Sequence, residues 1–361
     1  MKFIGSLLAV VVCFLIPAIL PANAADHGRL AKTAYEKHIL PGYQKLHTDA
    51  DQFEAALKTF CANPDQAKYQ PVRDAYKKLL LSWSSVEHLR FGPVTQNYNY
   101  ERFAYWPDIK GRGLKRVRKA LKENDETVLS ESYLKKKSIA LQGLTALEFL
   151  LYGQKHKIIF KADDAGKFRC AFAYNIARNL SGISKDILSG WKKDTPYVDA
   201  FLNPEKGKTY VSAKEVTLVL FQAYVTSYAK YRSLKIMRPL GLPKKKRVNP
   251  RLAPYWRSGL TIDVLTANLL ALKDMYLIGG FNEIVGDKDP FLKQSMKVSI
   301  NNGVQILSSI NEPVAVIFAD ERKRSKYKFI ASILSVMRSH SGTAILKATD
   351  LTIGFNAEDG D

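Results

Sequence analysis

The stretch "LQGLTALEFLLYG" (residues 141–153) has the periodicity of a helix with one buried face. At 100° per residue, Leu144, Leu147 and Leu151 form a single apolar stripe. Glu148 lies about 40° from Leu144 on the helical wheel, so it falls inside that stripe. The sequence therefore predicts a core-facing helix that carries a carboxylate on its buried side.

A second helix has the same unusual arrangement. Within residues 71–90, Tyr76, Leu80 and Trp83 share one face, and Glu87 lies about 40° from Trp83. A buried ionised carboxylate is unfavourable unless it is paired, hydrogen-bonded or bound to a cation. Two such carboxylates indicate either polar ties between helices or a polar cavity between them.

Local partners leave both interpretations open. Thr145 lies three residues before Glu148 and can present a hydroxyl, and Arg90 lies three residues after Glu87 and can pair with it. In the structural interpretation, the carboxylates join helices through arginine, tyrosine and backbone partners. In the functional one, they line a cavity for a small ligand or a cation, and oxygen ligands suit calcium, magnesium or ferric iron better than zinc.

Helical periodicity dominates the chain, and strand patterns of period two are scarce, so the predicted class is all-α. One helix is predicted over 127–152. Two stretches recur in the same order. They are "DAYKKLLLSWSSVEHLRFGP" (74–93) with "QAYVTSYAKYRSLKIMRPLG" (222–241), and "RFAYW" (102–106) with "RLAPYW" (251–256). This echo, in which Glu87 aligns with Lys235, predicts two halves related by an internal duplication.

The "NPEKGKTY" segment at 203–210 is the best linker, so the predicted halves are 25–202 and 203–361. Residues 1–24 precede them and have the organisation of a signal peptide, with Lys2, an apolar run and "ANA" before the cleavage point. The mature protein is therefore expected to be exported. No later segment is expected to span a membrane.

Export bears on the two cysteines of the mature chain, Cys61 and Cys170. An oxidising compartment favours a disulfide between them, and two buried free thiols are the alternative.

The formal net charge of +21 concentrates in basic runs at 110–122, 135–137 and 244–247. Such runs predict a solvated basic surface or an attraction to anionic envelope surfaces or acidic ligands. No nucleic-acid-binding module is recognisable, so nucleic acid is not an expected partner.

Catalytic motifs are absent. The chain has no HExxH motif, no G-x-S-x-G elbow, no P-loop and no dinucleotide-binding glycine fingerprint.

The tail "LTIGFNAEDGD" (351–361) is either a solvated acidic end or a segment that Phe355 anchors over a groove. In the second case the oxygen donors of Asn356, Asp359 and Asp361 would close the predicted site.

At these residues the chain resembles the imelysin family, also called the insulin-cleaving metalloproteinase outer-membrane family. The resemblance is carried by "FCANP" (60–64), "VEHLRFGP" (86–93), "RFAYWPDIKGRGLKRVRKAL" (102–121), "SIALQGLTALEFLLYG" (138–153), "APYWRSGLTIDVLTANLLAL" (253–272) and "GFNAEDGD" (354–361). It implies two four-helix-bundle-like halves, a Cys61–Cys170 disulfide, a periplasmic or envelope location and an association with bacterial iron uptake.

The family's hallmark G-x-H-x-x-E corresponds here to Gly143, Thr145 and Glu148. Threonine replaces the histidine, which is the residue best suited to a soft or borderline metal. The resemblance therefore predicts a non-enzymatic periplasmic protein that binds a ligand or a metal in iron or metal acquisition. A degenerate metallopeptidase of the insulin-cleaving type and a structural or partner-binding envelope protein are the alternatives.

The predicted site draws on both halves. Its residues are Gly143, Thr145, Glu148, Glu87, Arg90, Arg102, Trp106, Asp108, Asn356, Asp359 and Asp361. Arg102, Trp106 and Asp108 are expected to form a wall. If the cofactor is a metal ion such as iron or calcium, Glu148 and Glu87 are its predicted ligands.

Overall fold

The structure, a computed structural model, describes residues 25–242 and 246–351. Within those ranges it contains helices and no β-strand, which confirms the predicted all-α class. The α-helices are α1 (His27–Ala34), α2 (Leu40–Ala62), α3 (Gln70–Val86), α4 (Asn99–Phe103), α5 (Arg112–Glu123), α6 (Glu131–Leu134), α7 (Leu144–Tyr152), α8 (Asp164–Gly190), α9 (Pro196–Leu202), α10 (Ala213–Lys230), α11 (Thr261–Leu277), α12 (Phe281–Val285), α13 (Pro290–Ser308), α14 (Val314–Ala319) and α15 (Glu321–Thr349).

Shorter helical segments connect them. Two are π-helical, Tyr35–Ile39 and Tyr231–Met237. The 3₁₀ segments are Gln66–Lys68, Gly92–Tyr98, Glu126–Leu129, Ile139–Leu141, His156–Phe160, Pro250–Leu252 and Gly286–Lys288. The predicted signal peptide (1–24) and the tail residues 352–361 lie outside the described residues.

The first bundle is built on α2, α3 and α8, with α2 packing against both α3 and α8. α3 begins at Gln70, and Pro71 lies in its first turn, where the N–H that proline lacks has no partner within the helix. The apolar stripe predicted for this helix is buried. Cys61 of α2 and Cys170 of α8 form the predicted disulfide, with their Cα atoms 5.7 Å apart. The disulfide therefore joins two helices of the same bundle.

The second bundle is built on α10, α11, α13 and α15. The Asp320 carboxylate caps α15 by accepting a hydrogen bond from the backbone N–H of Lys323. By length and composition alone, α15 is the one helix among the described residues that could span a bilayer. Half of its most apolar window is buried inside the protein, as in the core helix of a bundle.

The two bundles share a continuous hydrophobic core. α11 packs along α3, and the Asn268 side chain of α11 donates a hydrogen bond to the carbonyl of Ser84 at 2.7 Å. The first helix also crosses between them. α1 packs on α10 and α12, whereas α2, which follows the π-helical turn, packs on α3 and α8.

The helix predicted over 127–152 is not continuous. The chain forms short helical turns up to Leu141, and α7 begins only at Leu144. Gly143 is the residue that precedes α7, and its φ of −132° and ψ of −169° are extended rather than helical. The predicted helix is therefore found after Gly143 and not before it, because this extended residue separates the short turns up to Leu141 from α7.

Candidate functional site

A cleft of about 710 Å³ lies between the two halves. Its first-half lining comes from residues 105–118 and 140–154, and its second-half lining comes from Arg238 and residues 251–257. The two stretches that echo each other in sequence, 102–106 and 251–256, therefore both contribute lining residues. Trp106 and Trp256 are the two indoles of the cleft.

Glu148 is buried in α7 beside this cleft, with only 2% of its surface exposed. Its Oε1 accepts hydrogen bonds from the backbone N–H of Arg257 at 2.9 Å and of Ser258 at 3.1 Å. The Ser258 hydroxyl lies 3.2 Å from the same oxygen, and Oε2 lies 3.7 Å from the guanidinium of Arg257. Glu148 thus fixes a turn of the second half against a helix of the first.

Burial raises the pKa of Glu148 above its usual value. The hydrogen bonds from Ser258 and Arg257 and the positive charge of Arg257 oppose this shift but do not cancel it. The N–H groups of Arg257 and Ser258 and the guanidinium of Arg257 thus hold the carboxyl group at a buried position where its ionised form is unfavourable.

The other two residues of the motif are also held by the chain. A Cβ on Gly143 would lie 2.4 Å from the carbonyl oxygens of Arg102 and Phe103, so only glycine permits this close backbone approach. Thr145 lines the cleft, and its hydroxyl donates a hydrogen bond to the Tyr105 carbonyl at 3.1 Å. Thr145 therefore anchors the opposite wall instead of contacting Glu148.

Glu87 lies in a different place. It follows the end of α3 and faces a smaller cavity of about 140 Å³. Its Oε1 forms a buried ion pair with the ammonium group of Lys235 and accepts a hydrogen bond from Asn268 at 3.2 Å. Lys235 belongs to the π-helical segment Tyr231–Met237 and also donates to Asn268 at 2.7 Å.

Burial lowers the pKa of Lys235, while its ion pair with Glu87 opposes the shift. Its ammonium nitrogen lies 4.7 Å from the ring centre of Tyr231 and 5.7 Å from that of Trp106. The cation is therefore enclosed by one carboxylate, one amide and two aromatic rings.

The two carboxylates occupy adjacent but separate cavities, because Trp106, Pro107 and Tyr255 line both of them and form the partition. The predicted single acidic site is thus divided by an aromatic wall. Burial and the charges of both Glu87 and Glu148 raise the pKa of Tyr255, as expected for a phenol that lies between them.

The remaining predicted residues are distributed around these cavities. Trp106 and Asp108 line the larger cleft, and the Asp108 carboxylate accepts a hydrogen bond from the backbone N–H of Leu114 at 3.0 Å. Arg90 lines the smaller cavity, where its guanidinium lies 3.8 Å from Glu101 and 4.1 Å from the ring centre of Tyr100.

Arg102 lies outside the lining of both cavities. It donates hydrogen bonds to the Gln142 side chain at 2.8 Å and to the Asn179 side chain at 3.1 Å, so it connects the segment before α7 to α8. Asn356, Asp359 and Asp361 lie outside the described residues, so their predicted role stays a prediction.

Four arginines complete the cleft, and none of them was among the predicted site residues. They are Arg118, Arg238, Arg251 and Arg257. Arg118 was present in the basic run at 110–122, and the echoed stretch 251–256 includes Arg251 and ends beside Arg257. The sequence could not place these arginines at the cleft. Helical spacing identifies neighbours within one helix, and not residues that the fold brings together from about a hundred positions away.

The donor set does not suit a bare cation. Within residues 25–242 and 246–351, no three His, Cys, Asp or Glu side chains are grouped as metal ligands. Glu148 is engaged with N–H and O–H donors and faces an arginine. Four guanidinium groups around the cleft would repel a cation rather than attract one.

Fold and cleft define a helical protein with a cleft between two bundles. The family model for imelysin matches residues 39–333, so the chain belongs to the imelysin family. This confirms the resemblance carried by the "SIALQGLTALEFLLYG" and "APYWRSG" anchors. No curated protein matches the chain.

Two solved structures share the fold. One is an imelysin-like protein from Psychrobacter arcticum 273-4, with a TM-score of 0.77 and 18% identity, over 92% of this chain and 99% of that one. The other is described as an iron-regulated protein A precursor from Parabacteroides distasonis ATCC 8503, with a TM-score of 0.72 and 15% identity, over 88% and 95% of the two chains.

Proposed function

We propose that this imelysin-family protein is an exported, non-enzymatic ligand-binding protein that acts in iron acquisition, with the cleft beside Glu148 as its binding site. The observation that carries the proposal is the cleft itself, about 710 Å³ in volume and lined by both halves. Pockets of this size accommodate drug-sized molecules, and a position between two structural units is typical of ligand sites.

The residues of the motif support binding rather than hydrolysis. The threonine that replaces the motif histidine uses its hydroxyl to hold the Tyr105 carbonyl. Glu148 is not poised as a general base toward the cleft, because its Oε1 accepts three hydrogen bonds from Arg257 and Ser258. Both side chains shape the cleft walls.

Export and iron rest on separate observations. The organisation of residues 1–24 predicts a signal peptide, and the Cys61–Cys170 disulfide is of the kind that persists in an oxidising compartment such as the periplasm. The link to iron rests on the neighbour described as an iron-regulated protein precursor.

The test uses ferric chelates, the same chelators without iron, and the calcium and ferric ions alone. Trp106 and Trp256 line the cleft, so a bound chelate is expected to change the intrinsic fluorescence and to raise the melting temperature. At a hundredfold excess over Kd, binding adds about 2.7 kcal/mol to the free energy of unfolding.

The matched variants are Trp256→Phe, which removes a cleft indole, and Trp191→Phe, which alters a fully buried indole of the first bundle. The fluorescence response is expected to fall in the first variant and to persist in the second. If no compound of the panel changes either signal in the wild-type protein, the proposal is wrong. Induction of the gene by iron starvation tests the iron link independently.

A second candidate function is attachment to an anionic envelope surface. α5 carries six exposed basic side chains at positions 112, 115, 116, 118, 119 and 122, with one acidic residue, Glu123, at its end. Ile109, three residues before this helix, is 65% exposed. Basic helices with exposed apolar neighbours favour anionic lipid surfaces.

Cosedimentation with phosphatidylglycerol vesicles tests this second candidate. We expect binding that weakens with salt and that is lost in the triple variant Lys115→Gln, Arg116→Gln, Lys119→Gln. The control variant Arg322→Gln, Lys326→Gln, Lys328→Gln removes the same charge from exposed positions of α15. Equal binding of both variants, or equal binding to phosphatidylcholine vesicles, would exclude a specific role for α5.

A further inference from the structure

We infer that the ligand of the cleft is an oxyanion with a flat, unsaturated part, held through carboxylate or phosphate groups by Arg118, Arg238 and Arg251. The inference rests on the proposed function, since it states the chemical class of the molecule that the cleft binds. The recognition chemistry is shared by carboxylates and phosphates, and the experiment below separates the two.

The first argument is the charge of the lining. Among the described residues, four arginines and two carboxylates line the cleft. Both carboxylates are already engaged, Asp108 by the backbone N–H of Leu114 and Glu148 by the turn at Arg257 and Ser258. The cleft therefore presents an excess of positive charge to anything that enters it.

The second argument is that three of the arginines have no counter-ion among the described residues. Arg257 is paired there, with its guanidinium 3.7 Å from Glu148. In the part of the chain that the structure describes, no carboxylate lies within 4.0 Å of the guanidinium of Arg118, Arg238 or Arg251. An anionic ligand would supply the missing counter-charge.

The third argument is that Arg118, Arg251 and Arg257 flank shared aromatic rings. Arg118 and Arg257 lie 5.5 Å and 5.8 Å from the ring centre of Phe149, and Arg251 and Arg257 lie 6.0 Å and 4.4 Å from that of Trp256. Like charges that border the same ring repel one another. The charges of Arg118 and Arg251 are accordingly among the causes that lower the pKa of Arg257.

The flat part of the ligand follows from the walls. The indoles of Trp106 and Trp256 and the phenols of Tyr105 and Tyr152 line the cleft beside the guanidinium groups. Guanidinium groups bind carboxylates and phosphates in a bidentate, planar manner, whereas aromatic faces stack on flat groups. A saturated anion would use only the guanidinium groups, and a cationic molecule would be repelled by them.

The probes are citrate, pyrophosphate, phthalate and the neutral ester dimethyl phthalate, titrated by calorimetry and by tryptophan fluorescence. We expect the anions to bind, phthalate more tightly than its ester by at least tenfold. The variants Arg238→Gln and Arg251→Gln each weaken anion binding by about ten- to a hundredfold. Arg338→Gln, an exposed position on α15 outside the cleft lining, is the matched control and leaves it unchanged.

Comparing the affinities for citrate and phthalate with that for pyrophosphate shows whether the cleft prefers carboxylates or phosphates. Either preference supports the inference. It is overturned if dimethyl phthalate binds as tightly as phthalate, or if Arg238→Gln and Arg251→Gln bind anions as Arg338→Gln does. These results leave the proposed function intact, because a neutral ligand still occupies the cleft. If no probe of either kind binds and the ferric chelates also fail, the inference and the proposed function fall together.

Discussion

Glu87 and Glu148 lie in similar sequence patterns and have different partners. Each follows or occupies a helix of the first bundle, each is buried, and each reaches a residue of the second bundle. Glu87 meets a full positive charge in Lys235, whereas Glu148 meets mainly backbone N–H groups and a hydroxyl. The comparison shows that the same local sequence pattern can place a carboxylate in a buried ion pair or in the wall of a cleft.

The difference has a physical basis in the partners. Asn268 holds both members of the Glu87–Lys235 pair, so each charged group of that cluster has protein partners. Glu148 leaves its nearest cation, Arg257, partly exposed in the cleft and stacked on Trp256. The first carboxylate is therefore enclosed by the core, and the second supports a surface that a ligand can reach.

The largest effect is expected for Lys235→Met. It leaves the carboxylate of Glu87 buried without its counter-ion, so the free energy of unfolding is expected to fall by about 3–5 kcal/mol. Urea denaturation measures the loss. The double variant Glu87→Gln, Lys235→Met removes both charges and is expected to recover most of it. A loss below about 1 kcal/mol in the single variant would show that Glu87 is solvated.

A smaller loss is expected for Glu148→Ala, about 1–3 kcal/mol, because the N–H groups of Arg257 and Ser258 lose their acceptor but lie near a wet cleft. Hydrogen exchange at these two amides is expected to accelerate, while exchange in α3 stays unchanged. Unchanged protection at Arg257 and Ser258 would contradict the assigned role of Glu148.

The pH dependence of Glu148→Gln sharpens the comparison. The pKa of Glu148 is raised in the folded state, so as pH increases the unfolded chain loses this proton first. The wild type therefore loses stability relative to Glu148→Gln as pH rises from the unfolded pKa, near 4.5, to the higher folded pKa, by about 1.4 kcal/mol for each pH unit between them. Denaturation at pH 4 and pH 7 checks the sign, and an opposite trend contradicts it.

The smallest effect is expected for Thr145→Val. It keeps the shape of the side chain and removes one hydrogen bond to the Tyr105 carbonyl, so the loss is about 1 kcal/mol. Thermal unfolding measures it. A substantially larger loss would assign Thr145 a partner beyond this carbonyl.

Local chemistry was the predictable part. The helical period placed Glu87 and Glu148 on buried faces, and the proline at 71 lies in the first turn of α3. The break at Gly143 was not predicted. The partners were not predictable from spacing, because Lys235 lies 148 residues from Glu87 and Ser258 lies 110 residues from Glu148. Arg90 illustrates the limit, since its i,i+3 position suggested Glu87 and its ion pair is with Glu101.

The internal duplication stays a prediction, and the contact between Glu87 and Lys235 suggests a way to test it. Glu87 and Lys235 are aligned by the sequence echo, and they meet in the structure. Residues at equivalent positions meet when they lie near a two-fold axis between repeats. Superposition of α3 with the α10 region, followed by comparison of the remaining helices, would test whether the halves share an origin.

The path of the first helix has a consequence for biogenesis. The residues of α1 precede their main packing partners by a long stretch of chain, because they pack on α9, α10 and α12, which begin more than 160 residues later. The second bundle therefore stays incomplete until the chain has closed on itself. If the protein is exported as proposed, unfolded and with its amino end leading, α1 crosses the membrane well before α10 and cannot pack until that helix has followed.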